Sequence, residues 1–82
     1  MKINVRVAKK NTQNIKISTE FIKLDALLKY ASIAMTGGEA KLYISDGLVR
    51  LNGDVCTERG KKIRPGDVVT FENEEIIVSK DQ

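Results

Sequence analysis
Four cations crowd one short run of this chain. In the stretch RLNGDVCTERGKKIRPGD, Arg50 to Asp67, the residues from Glu58 to Arg64 set Arg59, Lys61, Lys62 and Arg64 against a single acid. Like charges held close repel each other, so such a run is either a solvated face or a seat for an anion. The chemistry that these side chains offer is electrostatic: they neutralise phosphates, at spacings that suit a phosphate backbone.

A second group points the same way. Thr36-Gly37-Gly38 opens a helix, and a helix start presents free N–H groups with a partial positive charge, which suits a phosphate. Gly37 and Gly38 leave that backbone open to a ligand. Lys41 stands four residues after Gly37, on the same helical face and away from the apolar stripe. Arg50 alternates with Val49 and Leu51 and so points out of a sheet. If the helices and the hairpin pack side by side, these groups line one surface with Arg59 to Arg64.

Other chemistries are poorly served. With no histidine and one cysteine, Cys56, the chain is unsuited to a transition-metal site, and no internal disulfide can form. There is no nucleophile–base pair at a recognisable spacing and no phosphate-loop signature, so no catalytic residue and no cofactor is expected. Asp25 and Glu39 read as capping or helix-surface acids, and Cys56 as a small apolar group in a strand. No apolar run approaches the roughly 20 residues of a membrane span. No leader precedes the alternating INVRV, and the lone thiol suits a reducing compartment, so a cytoplasmic protein is expected. The net charge of +3 is unevenly spread: residues 1–64 hold 13 Lys/Arg and 6 Asp/Glu, whereas residues 65–82 hold 1 and 5. A positive face with a neutral or acidic back follows.

These residues must be positioned by short elements. KINVRV alternates with strand period, AKKNTQN reads as a polar loop, and IKIS is a second short strand. In LDALLKYA, Leu24, Leu27, Leu28 and Ala31 fall on one helical face. In TGGEAKLYISDG, Thr36 and Glu39 have capping-box spacing, Ala40, Tyr43 and Ile44 form the apolar stripe, and Gly47 ends the helix. Asn52-Gly53 suits a type I′ hairpin turn, and Pro65-Gly66 a type II turn before VVTF; a further turn at ENEE leads to the last strand, IIVS.

The expected fold class is α+β: two short packed helices against a small, mainly antiparallel sheet. The aromatic residues are few, and Tyr43 and Phe71 look committed to the core. Little is left to stack single-stranded bases, so phosphate and shape recognition of folded or duplex RNA fits better.

The order of motifs resembles the S4-like RNA-binding domain, also called the αL motif, and within it the stand-alone bacterial YaaA/YbcJ-like group. The pieces are Lys23-Leu24-Asp25 with Leu28, Ala40 with Tyr43-Ile44 and Gly47, Val49 with Leu51-Asn52-Gly53, and Pro65-Gly66-Asp67 with Val69. The resemblance covers residues 20–71 of a single domain, 1–82, and leaves an N-terminal strand segment, 1–18, outside the pattern. It implies an RNA-binding surface: Lys23 opening the first helix, Thr36, Gly37, Gly38 and Lys41 at the start of the second, and Arg50, Asn52, Arg59, Lys61, Lys62 and Arg64 completing a groove. Many members begin the second helix with Ser-Arg, where this chain has Gly37-Gly38; backbone amides or Lys41 would take over that contact.

The expected function is therefore non-catalytic binding of structured RNA, of the ribosomal or transfer RNA class, with no membrane and no metal. The alternative is a protein-interaction adaptor, with an edge strand of the acidic C-terminal segment, which carries Glu72, Glu74 and Glu75, pairing with a partner.

Overall fold
The computed structural model describes residues 11–81. The expected strand KINVRV lies outside them. The described chain runs β1 (Asn11–Ile17), β2 (Ile22–Lys23), α1 (Leu24–Tyr30), α2 (Gly37–Ser45), β3 (Val49–Leu51), β4 (Asp54–Val55), β5 (Lys62–Ile63), β6 (Val68–Phe71) and β7 (Glu74–Lys80). Five strands form one sheet in the order β1-β7-β6-β3-β4, and β2 and β5 form a separate ribbon. The fold class is α+β. Among the described residues, all pairings are antiparallel except β1 with β7, which is parallel.

Both helices form where their apolar spacing puts them. Leu24, Leu27 and Leu28 of α1 and Ala40 and Ile44 of α2 are buried. They share one core with Val49, Ile63, Val69, Ile76 and Val78. Tyr43 is only half-buried, its ring 4.7 Å from that of Phe71 against the edge of this core. The Thr36 hydroxyl accepts from the Glu39 N–H at 3.1 Å, as capping-box spacing predicts. The Glu39 carboxylate reaches back to the Met35 N–H at 2.7 Å, one residue beyond the usual partner.

Both helices end in the same way. Gly47, at φ +75°, lets its N–H bond the Ile44 carbonyl while Leu48 N–H bonds that of Tyr43. These are the two bonds of a Schellman motif. At the end of α1 the left-handed residue is Ser32, at φ +63°, with Ser32 N–H on Lys29 O and Ile33 N–H on Leu28 O. No glycine marks that stop in the sequence.

The expected turns form. Asn52 and Gly53 both have positive φ, as a type I′ hairpin requires. Gly66 sits at φ +100° in the Arg64–Asp67 turn, which is closed by Asp67 N–H on Arg64 O at 3.0 Å.

Asn11 to Asn14, whose polar run predicts a loop, are instead the first half of β1. Their polar side chains hid a strand because its polar groups are satisfied across the sheet. Asn11 donates to the Glu74 carboxylate at 3.1 Å and Thr12 to that of Glu75 at 3.2 Å. Gln13 turns inward in register with Ile15 and Ile17 and donates to the Ala31 carbonyl at 3.0 Å.

The same pairing removes the edge invoked for the adaptor reading. The acidic strand β7 lies between β1 and β6, with a hydrogen-bonded neighbour on each side. It was legible only as IIVS because its first two residues, Glu74 and Glu75, are acids.

Candidate functional site
The β2–β5 ribbon gathers the cations. Ile22 pairs with Ile63 and Lys23 with Lys62. Ile63 is fully buried and Ile22 packs against the core, whereas Lys23 and Lys62 are exposed. The apolar pair pins the register, and the register sets two lysines side by side. Directly opposed residues on antiparallel strands have Cβ atoms about 4.5–5.5 Å apart.

The start of α1 holds the rest of the basic loop. Leu24 N–H donates to the Lys61 carbonyl at 2.9 Å and Asp25 N–H to that of Arg59 at 3.1 Å. A helix start leaves such amides without partners inside the helix, and here the loop supplies them. The Asp25 carboxylate takes the Ala26 N–H at 2.8 Å through one oxygen and faces the Arg59 guanidinium at 3.5 Å through the other. Asp25 is thus a helix-start acid that also fastens the loop.

Phe21 lies just before the ribbon, with Lys62 Nζ 5.0 Å and Arg64 Cζ 5.7 Å from its ring centre. Both distances are within cation–π reach. The ring therefore sits under two cations. Nothing local in the sequence marks this role, because Phe21 and Lys62 meet only through strand pairing. Lys61, Lys62 and Arg64 line a shallow concavity of about 350 Å³ with Glu58 and Gly60.

Asn52 and Asp67 join the two turns that bracket the loop. The Asn52 amide donates to the Asp67 carboxylate at 3.0 Å and its oxygen accepts from the Val68 N–H at 2.9 Å. Asp67's other oxygen accepts from the Arg64 N–H at 2.8 Å. Asn52, an expected RNA contact, has its side chain engaged within the fold. Arg50 is exposed on β3 and bonds the Gly53 carbonyl at 3.2 Å, folded over its own hairpin.

Thr36, Gly37, Gly38 and Lys41 lie at the start of α2. Thr36, Gly38 and Lys41 are exposed, and a Cβ added at Gly37 would meet nothing within 4 Å. The backbone is accessible there, as read from the sequence. The connection from this helix start to the basic loop runs through α1, which contacts both α2 and β2. The ribbon and loop thus bring Lys23, Arg59, Lys61, Lys62 and Arg64 into one unit, while Arg50 and the α2 residues belong to neighbouring elements.

Of the aromatic residues, Tyr30 is 65% exposed at the end of α1. Among the described residues, no helix is long and apolar enough to cross a membrane.

A model of the S4 domain family matches residues 15–79, which takes in the second half of β1 and nearly all of β7 as well as the motifs between them. The chain is also 41% identical, over 58 residues, to a protein of Bacillus subtilis (strain 168) named "Probable ribosome maturation protein RlbA". That similarity spans 71% of this chain and 82% of the relative. With the helix pair, the Asn-Gly hairpin and the Pro-Gly-Asp turn all formed inside the matched region, the chain belongs to the S4 domain family.

Proposed function
We propose that the protein binds structured RNA without catalysing a reaction, and that its ligand is ribosomal RNA. The carrying observation is the β2–β5 ribbon, which sets Lys23 opposite Lys62, while the loop before β5 adds Arg59 and Lys61 and the residue after it is Arg64. Opposed like charges weaken a strand pair, and an anion between them relieves that cost. Membership of the S4 family supports RNA as the anion, and the ribosome-maturation name of the Bacillus relative supports ribosomal over transfer RNA. Lys23, Arg59, Lys61, Lys62 and Arg64 are the central contacts in this reading. The open start of α2 at Thr36, Gly37 and Gly38, with Lys41, receives an adjoining stretch of backbone. Arg50 extends the surface along the hairpin, and Asn52 contributes by fixing the turn. The protein works in the cytoplasm, where the half-buried thiol of Cys56 stays reduced.

The test is a titration of ribosomal RNA fragments across salt concentration. Neutralising about four phosphates makes affinity fall roughly a hundredfold between 50 and 200 mM salt. Replacing Arg59, Lys61, Lys62 and Arg64 together by alanine is expected to weaken binding and flatten the salt dependence. Unchanged affinity in that variant refutes the assigned surface.

A further inference from the structure
Beside the basic concavity lies a second groove, of about 440 Å³, whose apolar lining is Leu51, Val55 and Cys56. Val55 is 49% exposed on β4, the last strand of the sheet among the described residues, and Leu51 and Cys56 are half-buried. Lys61 and Glu58 line both grooves, so the two adjoin. The chemistry changes across that boundary. On one side are Lys62 and Arg64; on the other, Leu51, Val55 and Cys56 stand with Asn52, Asp54 and Thr57. The carboxylates of Asp54 and Glu58 repel a phosphate, but they accept hydrogen bonds from the exocyclic amines of nucleobases. In a single nucleotide, phosphate and base are joined within a few ångströms, so a phosphate seat and a base seat must adjoin.

We propose that the Leu51–Val55–Cys56 groove receives one unpaired, amine-bearing base of the RNA whose phosphates rest on Lys61, Lys62 and Arg64. This rests on the RNA-binding reading and adds to it a source of selectivity. A phosphate surface alone does not distinguish sequences, whereas a base drawn from a loop or bulge is read by its face and its edge. No aromatic ring lines the groove, so the gain is at the low end for a base held in a pocket, about fivefold in affinity.

The only cysteine of the chain lines the groove and reports its occupancy. The experiment compares two RNA hairpins of equal length and charge, one fully paired in its stem and one with an internal loop of adenines and cytosines. Binding of each is measured together with the rate of Cys56 alkylation by iodoacetamide. The looped RNA is expected to bind about fivefold tighter and to slow alkylation, while the paired RNA binds and leaves the thiol reactive. Val55→Ala should bring the ratio of the two affinities toward one. Equal affinities with Cys56 equally reactive in both complexes overturn the base seat and leave the phosphate surface standing. Protection of Cys56 by an added ribosomal protein but by neither RNA also overturns it, in favour of a peptide side chain as occupant. Absence of binding to either RNA removes the base seat together with the reading on which it rests.

Discussion

Lys23 and Lys62 face each other directly across a two-residue ribbon, and the Ile22–Ile63 pair beside them gives that ribbon its apolar anchor. The arrangement trades stability for charge density. Lys62→Glu converts an opposed like pair into an opposite pair. It should raise unfolding stability by less than about 1 kcal/mol, the range for exposed cross-strand charges. The same change should weaken RNA binding and flatten its salt dependence. Urea denaturation and RNA titration of one variant check both; a variant that is stabilised yet binds unchanged would detach Lys62 from the surface.

The Asn52–Asp67 link makes two substitutions at one position informative. Asn52→Gly keeps the positive φ and removes both side-chain hydrogen bonds, at a cost of about 1–2 kcal/mol. Asn52→Ala removes the same bonds but keeps a Cβ in the left-handed region, which leaves it about 1 kcal/mol less stable than the glycine variant. Urea midpoints should therefore fall in the order wild type, glycine, alanine. Equal stability of the two variants would show that φ +51° at Asn52 carries little strain.

At the end of α1, Ser32 occupies the position that glycine usually takes in this helix stop. Ser32→Gly relieves the left-handed strain but increases the freedom of the unfolded chain. The net should be a gain of about 0.5–1 kcal/mol, read as a higher urea midpoint with an unchanged slope.

Phe21 is expected to act on binding through the cations above it. Phe21→Leu keeps an apolar side chain but removes the π face under Lys62 and Arg64. RNA affinity should drop about threefold, the lower end for an exposed cation–π contact. The Lys62 side-chain proton resonances should lose their ring-current shift. Retention of that shift in the variant would show that another ring lies near the ammonium.

What could be read in advance was local. Leu24, Leu27 and Leu28 specified α1 because helical period is written into neighbouring positions, and Thr36 with Glu39 marked the start of α2 for the same reason. Asn52-Gly53 and Pro65-Gly66 announced their turns because few residues tolerate positive φ. Ser32 shows the limit of that logic: its left-handed turn lies between Ala31 and Ala34, both buried, and carries no glycine to signal it. Asn11 to Asn14 show another, since a polar strand lacks the alternation by which strands are recognised.

The amino-acid sequence by itself determined the two helices, their stops and starts in part, the tight turns, and a run of cations with few acids among them. Tertiary structure alone decided that β1 lies parallel to β7, that the acidic strand is interior, that Lys23 meets Lys62, and that Phe21 sits beneath two charges. The reason is one of range. Helical period and turn dihedrals depend on residues a few positions apart. Strand partnership depends on which distant backbone edges can exchange hydrogen bonds while their apolar faces meet, and that is settled only when the whole core closes.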